Sequence, residues 1–125
     1  MKYLLDVNLL LAVIWSNHPQ HPRAFAWMAG KTVSVCPLTE LGFLRISTQP
    51  KAINAPMDKS RELLKKFVEE RRAGWIADDL PSLKSSPKKS EAVTDSYLAT
   101  LADKHGLRLA TLDTGIKHAA VELVS

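Results

Sequence analysis

A chain of 125 residues, 46% hydrophobic and 24% charged, has the length and composition of one soluble domain that buries its own core. No stretch approaches the roughly 20 consecutive apolar residues of a membrane-spanning helix. Cys36 is the only cysteine, which excludes an internal disulfide and fits a reducing cytoplasm. The balance of 17 basic against 13 acidic residues, net +4, suits either a polyanionic partner or a slightly basic soluble protein, and charge alone does not choose between them.

In chain order, Tyr3-Leu4-Leu5 predicts a short buried strand ending at Asp6. Leu9 to Trp15 predicts a mostly apolar helix stopped by Asn17-His18-Pro19. This run imitates a signal-peptide core, but Asp6 and Asn8 interrupt it and no small-residue cleavage site follows. His21-Pro22 opens a second helix that runs through Met28, with Gly30 as its C-terminal residue. Thr32 to Cys36 reads as a second strand and Pro37 as the first residue of a helix. In that helix Leu38, Leu41 and Leu44 read as a buried stripe and Glu40 as a first-turn acid.

Gln49-Pro50 ends the third helix. Asp58 or Ser60 then caps a fourth, with Leu63, Leu64, Phe67 and Val68 on one face and Gly74 as its close. Trp75-Ile76-Ala77 predicts a third strand, and residues 81–90 a loop. Thr94 reads as the N-cap of a helix whose apolar face is Tyr97, Leu98, Leu101 and Ala102 and whose end is Gly106. Leu107 to Ala110 predicts a fourth strand, and Val121 to Val124 a fifth. Alternating strands and helices, without repeats or a linker, argue for a single-domain, three-layer α/β sandwich around a mostly parallel sheet.

Four carboxylates stand where such a sheet places its ligand crevice. Asp6 and Asp113 follow strands, and Glu40 and Asp95 sit in first helical turns. Converging acids repel one another unless a cation lies between them. All-oxygen donors suit magnesium or manganese, which activate water and neutralise charge developing on phosphorus. If these four are gathered, the rest of the chain carries 17 basic against 9 acidic residues, an acidic pocket in a basic body. Taken singly, each acid has a plainer explanation. Asp6 is a helix cap, Glu40 a solvated first-turn acid, Asp95 a dipole partner and Asp113 a turn residue.

Leu4-Leu5-Asp6-Val7-Asn8, Leu38-Thr39-Glu40, Thr94-Asp95-Ser96-Tyr97-Leu98-Ala99 and Ala110-Thr111-Leu112-Asp113 resemble the four acidic motifs of PIN domains. Within that family they are similar to VapC-type ribonuclease toxins of toxin–antitoxin systems. The resemblance covers residues 1–125 and implies the three-layer α/β/α fold. It also implies an endoribonuclease dependent on magnesium or manganese that hydrolyses RNA to a 5′-phosphate and a 3′-hydroxyl. By position, Asp6 and Asp95 would be the principal metal ligands, Glu40 and Asp113 would complete the site, and Asn8 and Thr111 would orient them. The implied partners are RNA, a cognate antitoxin that presents an Arg to the acids, and a second copy of the chain.

His18, His105 and His118 have no zinc spacing with Cys36, and His21 reads as structural. Lys84, Lys88 and Lys89 are either phosphate contacts or a solvated loop. Arg71-Arg72 suits a helix C-terminus, and Trp15, Trp27, Leu63, Phe67 and Trp75 read as core or subunit contact. Two other functions compete with the nuclease. One is a catalytically silent RNA- or protein-binding domain on the same fold. The other is a phosphotransfer receiver, which Asp78-Asp79 and Lys117 imitate loosely.

Overall fold

In a computed structural model that describes residues 2–116 and 118–124, the segment Tyr3-Leu4-Leu5 becomes the central strand β1 (Lys2–Leu5). Lys117 lies outside the described residues. The chain continues through helices α1 (Val7–Ile14) and α2 (His21–Trp27), strand β2 (Thr32–Val35), and helices α3 (Pro37–Thr48) and α4 (Met57–Arg71). It then forms the two-residue strand β3 (Gly74–Trp75), helix α5 (Val93–Lys104), and strands β4 (Arg108–Thr111) and β5 (Val121–Leu123). The sheet order is β3-β2-β1-β4-β5 and every pairing is parallel.

Strand periodicity splits the apolar residues between two faces. Tyr3, Leu5, Val33, Val35 and Ala110 join a core with α1 to α4, where Phe43 is fully buried and stacks on Trp15. Leu4 and Leu109 point the other way and meet Leu98, Leu101 and Ala102 of α5. Helices therefore cover both faces, and the expected three-layer α/β/α sandwich forms. The chain builds from β1 toward β3 on one side, then crosses to β4 and β5 on the other. Strand order reverses between β1 and β4, which is where an open parallel sheet leaves its crevice.

Several local expectations are corrected. Helix α4 starts at Met57 behind Pro56, so neither Asp58 nor Ser60 is its N-cap; the Ser60 hydroxyl, inside the helix, donates to the Pro56 carbonyl at 2.9 Å. Its close is Arg72 in the left-handed region (φ 50°), while Gly74 opens β3. A Cβ on Gly74 would lie 2.6 Å from Ser34 Oγ, so the glycine admits the edge strand against β2. Thr94 is not an N-cap either, because a 3-10 turn over Ser90–Ala92 runs into α5 and Ala92 takes the cap position. The leucine stripe of α3 is not buried: Leu41 is 64% exposed, and Leu38 and Leu44 are half-buried. A spacing of three drifts around a helix of 3.6 residues per turn. The residues of α3 that do face the core are Thr39, Gly42, Phe43 and Ser47.

Candidate active site

Asp6 leaves β1 at the switch point and turns the chain into α1. Its Oδ1 accepts the Leu9 backbone N–H at 2.8 Å, so the side chain caps the helix. Its Oδ2 accepts the hydroxyl of Thr111, the last residue of β4. The Thr111 oxygen in turn accepts the Asp113 backbone N–H at 3.0 Å, and Asp113 Oδ1 accepts the Gly115 N–H at 2.7 Å. A relay of hydrogen bonds thus runs across the β1–β4 junction, from the turn after β4 to the carboxylate after β1. The plain helix-cap explanation of Asp6 is correct and is compatible with a chemical role, since each carboxylate oxygen keeps a further lone pair.

Asp6 is 2% exposed. Burial pushes its carboxyl up to about 6, the Thr111 and Leu9 hydrogen bonds pull it down, and the charges of Asp95 and Asp113 raise it further. Asp95, half-buried in the first turn of α5, is also raised, first by burial and then by Asp113. The three aspartates therefore form one electrostatic unit drawn from the ends of β1 and β4 and the start of α5. Among the described residues no Lys, Arg or His forms an ion pair with any of them. Uncompensated carboxylates with oxygen-only donors fit a hard divalent cation.

Glu40 stands apart. It sits in the first turn of α3, carried by β2 on the far side of β1 from β4, and its Oε1 accepts the Trp75 indole N–H at 3.2 Å. With Arg61 and Lys65 it lines a groove of about 560 Å³ between α3 and α4. The charges of Asp6, Asp95 and Asp113 bear on one another, while among the described residues no group of three or more His, Cys, Asp or Glu side chains is drawn into a metal cage. Asn8 is exposed in the first turn of α1; the hydrogen bonds that orient Asp6 come from Leu9 and Thr111.

Other candidates resolve as structure. His21 Nδ1 bonds the Ala12 carbonyl at 2.8 Å, and Cys36 is a fully buried thiol pushed up to about 11 by burial. Asp78 Oδ2 accepts the Leu38 N–H at 3.0 Å, and Asp79 bonds His105 Nε2 at 2.7 Å. The pair imitating a receiver site thus ties the segment after β3 to α3 and α5. Trp75, taken as core or subunit contact, is 59% exposed and holds Glu40. Nothing in the sequence links Trp75 or Asp78 to α3, because both contacts span about forty residues or slightly fewer and exist only in the fold.

A family profile for the PIN domain matches residues 3–122. Ribonuclease VapC38 of Mycobacterium tuberculosis is 35% identical over 122 residues, 90% of this chain and 86% of that protein. Ribonuclease VapC44 of the same organism is 34% identical over 132 residues, 97% of this chain and 92% of that protein. In fold, the chain is similar to a solved structure of VapBC2 from Rickettsia felis bound to a DNA fragment from their promoter. That match has a TM-score of 0.65 at 15% identity and covers 98% of both chains.

Proposed function

This chain belongs to the PIN-domain family, and from that membership we propose that it is an endoribonuclease, the toxin of a toxin–antitoxin pair, acting with magnesium or manganese at Asp6, Asp95 and Asp113. The observation that carries the reading is the convergence of these three aspartates at the β1–β4 switch point, with Asp6 held near pKa 6 by burial and by its acidic neighbours. The named relatives are ribonucleases of the same length class, which supplies the reaction.

A divalent cation bound by these carboxylates supplies Lewis acidity toward a phosphodiester and neutralises the charge that develops during hydrolysis. The chain's own residues fix the geometry. Thr111 and the Leu9 amide hold the Asp6 carboxylate with one oxygen each, so its orientation is set before any ligand arrives. Asp95 projects from the start of α5, where the helix dipole favours its ionised form. Asp113 is held by its own turn. Glu40 is the fourth acid of the set, with Oε1 bonded to the Trp75 indole and Oε2 left for a ligand.

In the cell the pair would sit in the cytoplasm, as the lone buried cysteine suits. No helix among the described residues is long and apolar enough to cross a membrane. Half-exposed Leu41, Met57 and Trp75 offer apolar surface to an antitoxin or a second copy. The test is purified protein against a mixed RNA pool, with magnesium, with manganese and with chelator, followed by mapping of the cut ends. Asp95→Asn is expected to abolish cleavage while the melting transition persists. Metal-independent cleavage, or RNA retention without any cleavage by the parent, would instead favour the silent binding domain or another nuclease chemistry.

A further inference from the structure

Beside the aspartate trio the chain forms a second cleft, of about 250 Å³, lined by Ser86, Lys88, Lys89, Ser96, Gly115 and His118 among others. Its walls are continuous with the acidic site. Ser96 follows Asp95 in α5, and Gly115 is the residue whose amide Asp113 Oδ1 accepts at 2.7 Å. Lys88 and Lys89 come from the segment that enters the 3-10 turn before α5.

The polar groups of this cleft are mostly donors. Lys89 Nζ lies 3.9 Å from Glu91, with both side chains well exposed, a loose pair that leaves the ammonium available. His118 Nδ1 accepts the Ala120 N–H at 3.0 Å, which leaves the ring proton on Nε2 as a donor. Among the described residues, serine hydroxyls and the ammonium groups of Lys88 and Lys89 accompany it. A donor-rich, cationic cleft abutting three carboxylates is a sharp reversal of charge within one continuous surface.

Resting on the ribonuclease reading, we propose that this cleft holds a backbone phosphate of the RNA strand next to the bond that is cut, with Lys88 and Lys89 as counter-charges and Ser96 and His118 as neutral donors. The carboxylates repel a strand on their own, and the adjacent cleft supplies the attraction that seats it. Lysines act on phosphates as point charges, so the subsite carries register and affinity but reads no base. Lys84 does not line the cleft and belongs to the solvated loop.

The test is fluorescence anisotropy of short single-stranded RNA oligonucleotides, one of uridines and one of adenosines, from 50 to 200 mM salt. The protein carries Asp95→Asn so that the strand survives. Adding Lys88→Gln with Lys89→Gln should weaken binding roughly tenfold at low salt for both oligonucleotides. It should also lower the slope of log affinity against log salt by about 1.4, at about 0.7 per phosphate contact on a single strand. A control with the same charge change, Lys51→Gln with Lys59→Gln, should keep the slope. Equal affinity and slope in the two double variants would overturn the subsite. Parent protein that shows this binding signature yet never cuts RNA would overturn the ribonuclease reading and leave the subsite standing, so the two failures are distinguishable.

Discussion

Replacing Asp6 by Asn should stabilise the metal-free protein, and by an amount that depends on pH. Asn is nearly isosteric with the protonated carboxyl and keeps an oxygen for the Leu9 N–H. The folded carboxyl titrates near 6 against an ordinary value of 3.8, so the folded state binds the proton more tightly than the unfolded chain. Stability contributed by this group is therefore full at low pH and is lost as pH rises from about 4 through about 6. Linkage gives a penalty of less than about 1 kcal/mol at pH 4, about 2 at pH 5 and about 3 at pH 8. The Asp6→Asn variant escapes it. Urea unfolding in chelator at pH 5 and pH 8 should show the stability difference between variant and parent growing by about 1 kcal/mol over that interval. Magnesium at pH 8 should then raise the parent more than the variant, because binding to the folded state alone stabilises it. A difference that is the same at both pH values would refute the claim that burial and the neighbouring aspartates load this carboxylate.

Thr111→Val removes the donor to Asp6 and the acceptor of the Asp113 N–H, and should cost about 1–3 kcal/mol at pH 8 with a raised Asp6 carboxyl; Thr111→Ser should restore both in melts across pH. Asp113→Asn should lose most RNA cleavage yet match or exceed the parent in metal-free melting, since one charge bearing on Asp6 and Asp95 is gone; a clearly lower melting temperature would make Asp113 a structural residue. Gly42→Ala places a Cβ 2.6 Å from Val7 Cγ2, beside the Asp6 turn, and should cost about 1–3 kcal/mol against about 1 gained in helix propensity; pairing it with Val7→Ala should recover part of the loss in a double-mutant cycle.

The sequence by itself determined the elements and the acids. The apolar runs of Tyr3 to Leu5 and Leu107 to Ala110, the glycines after α2 and α5, and Pro37 at the start of α3 are local signals, and each is realised within a residue of its place in the sequence. The helix starts at Met57 and Val93 differ from the expected caps Asp58, Ser60 and Thr94 because a proline and a 3-10 turn set them, with no capping side chain involved. The leucine stripe of α3 failed because burial depends on which face a neighbouring helix covers, and periodicity alone does not say. Motif order pointed to four carboxylates, but only strand order made neighbours of Asp6 and Thr111, 105 residues apart, through one hydrogen bond. Glu40 carries the same local signature as the other three acids, and its bond to Trp75, thirty-five residues distant, exists only in the fold. A carboxylate's charge, cap and turn are properties of its own few residues, whereas its pKa and its company are set by which strands lie side by side. Those pairings exist only once the sheet has closed the long loops between them.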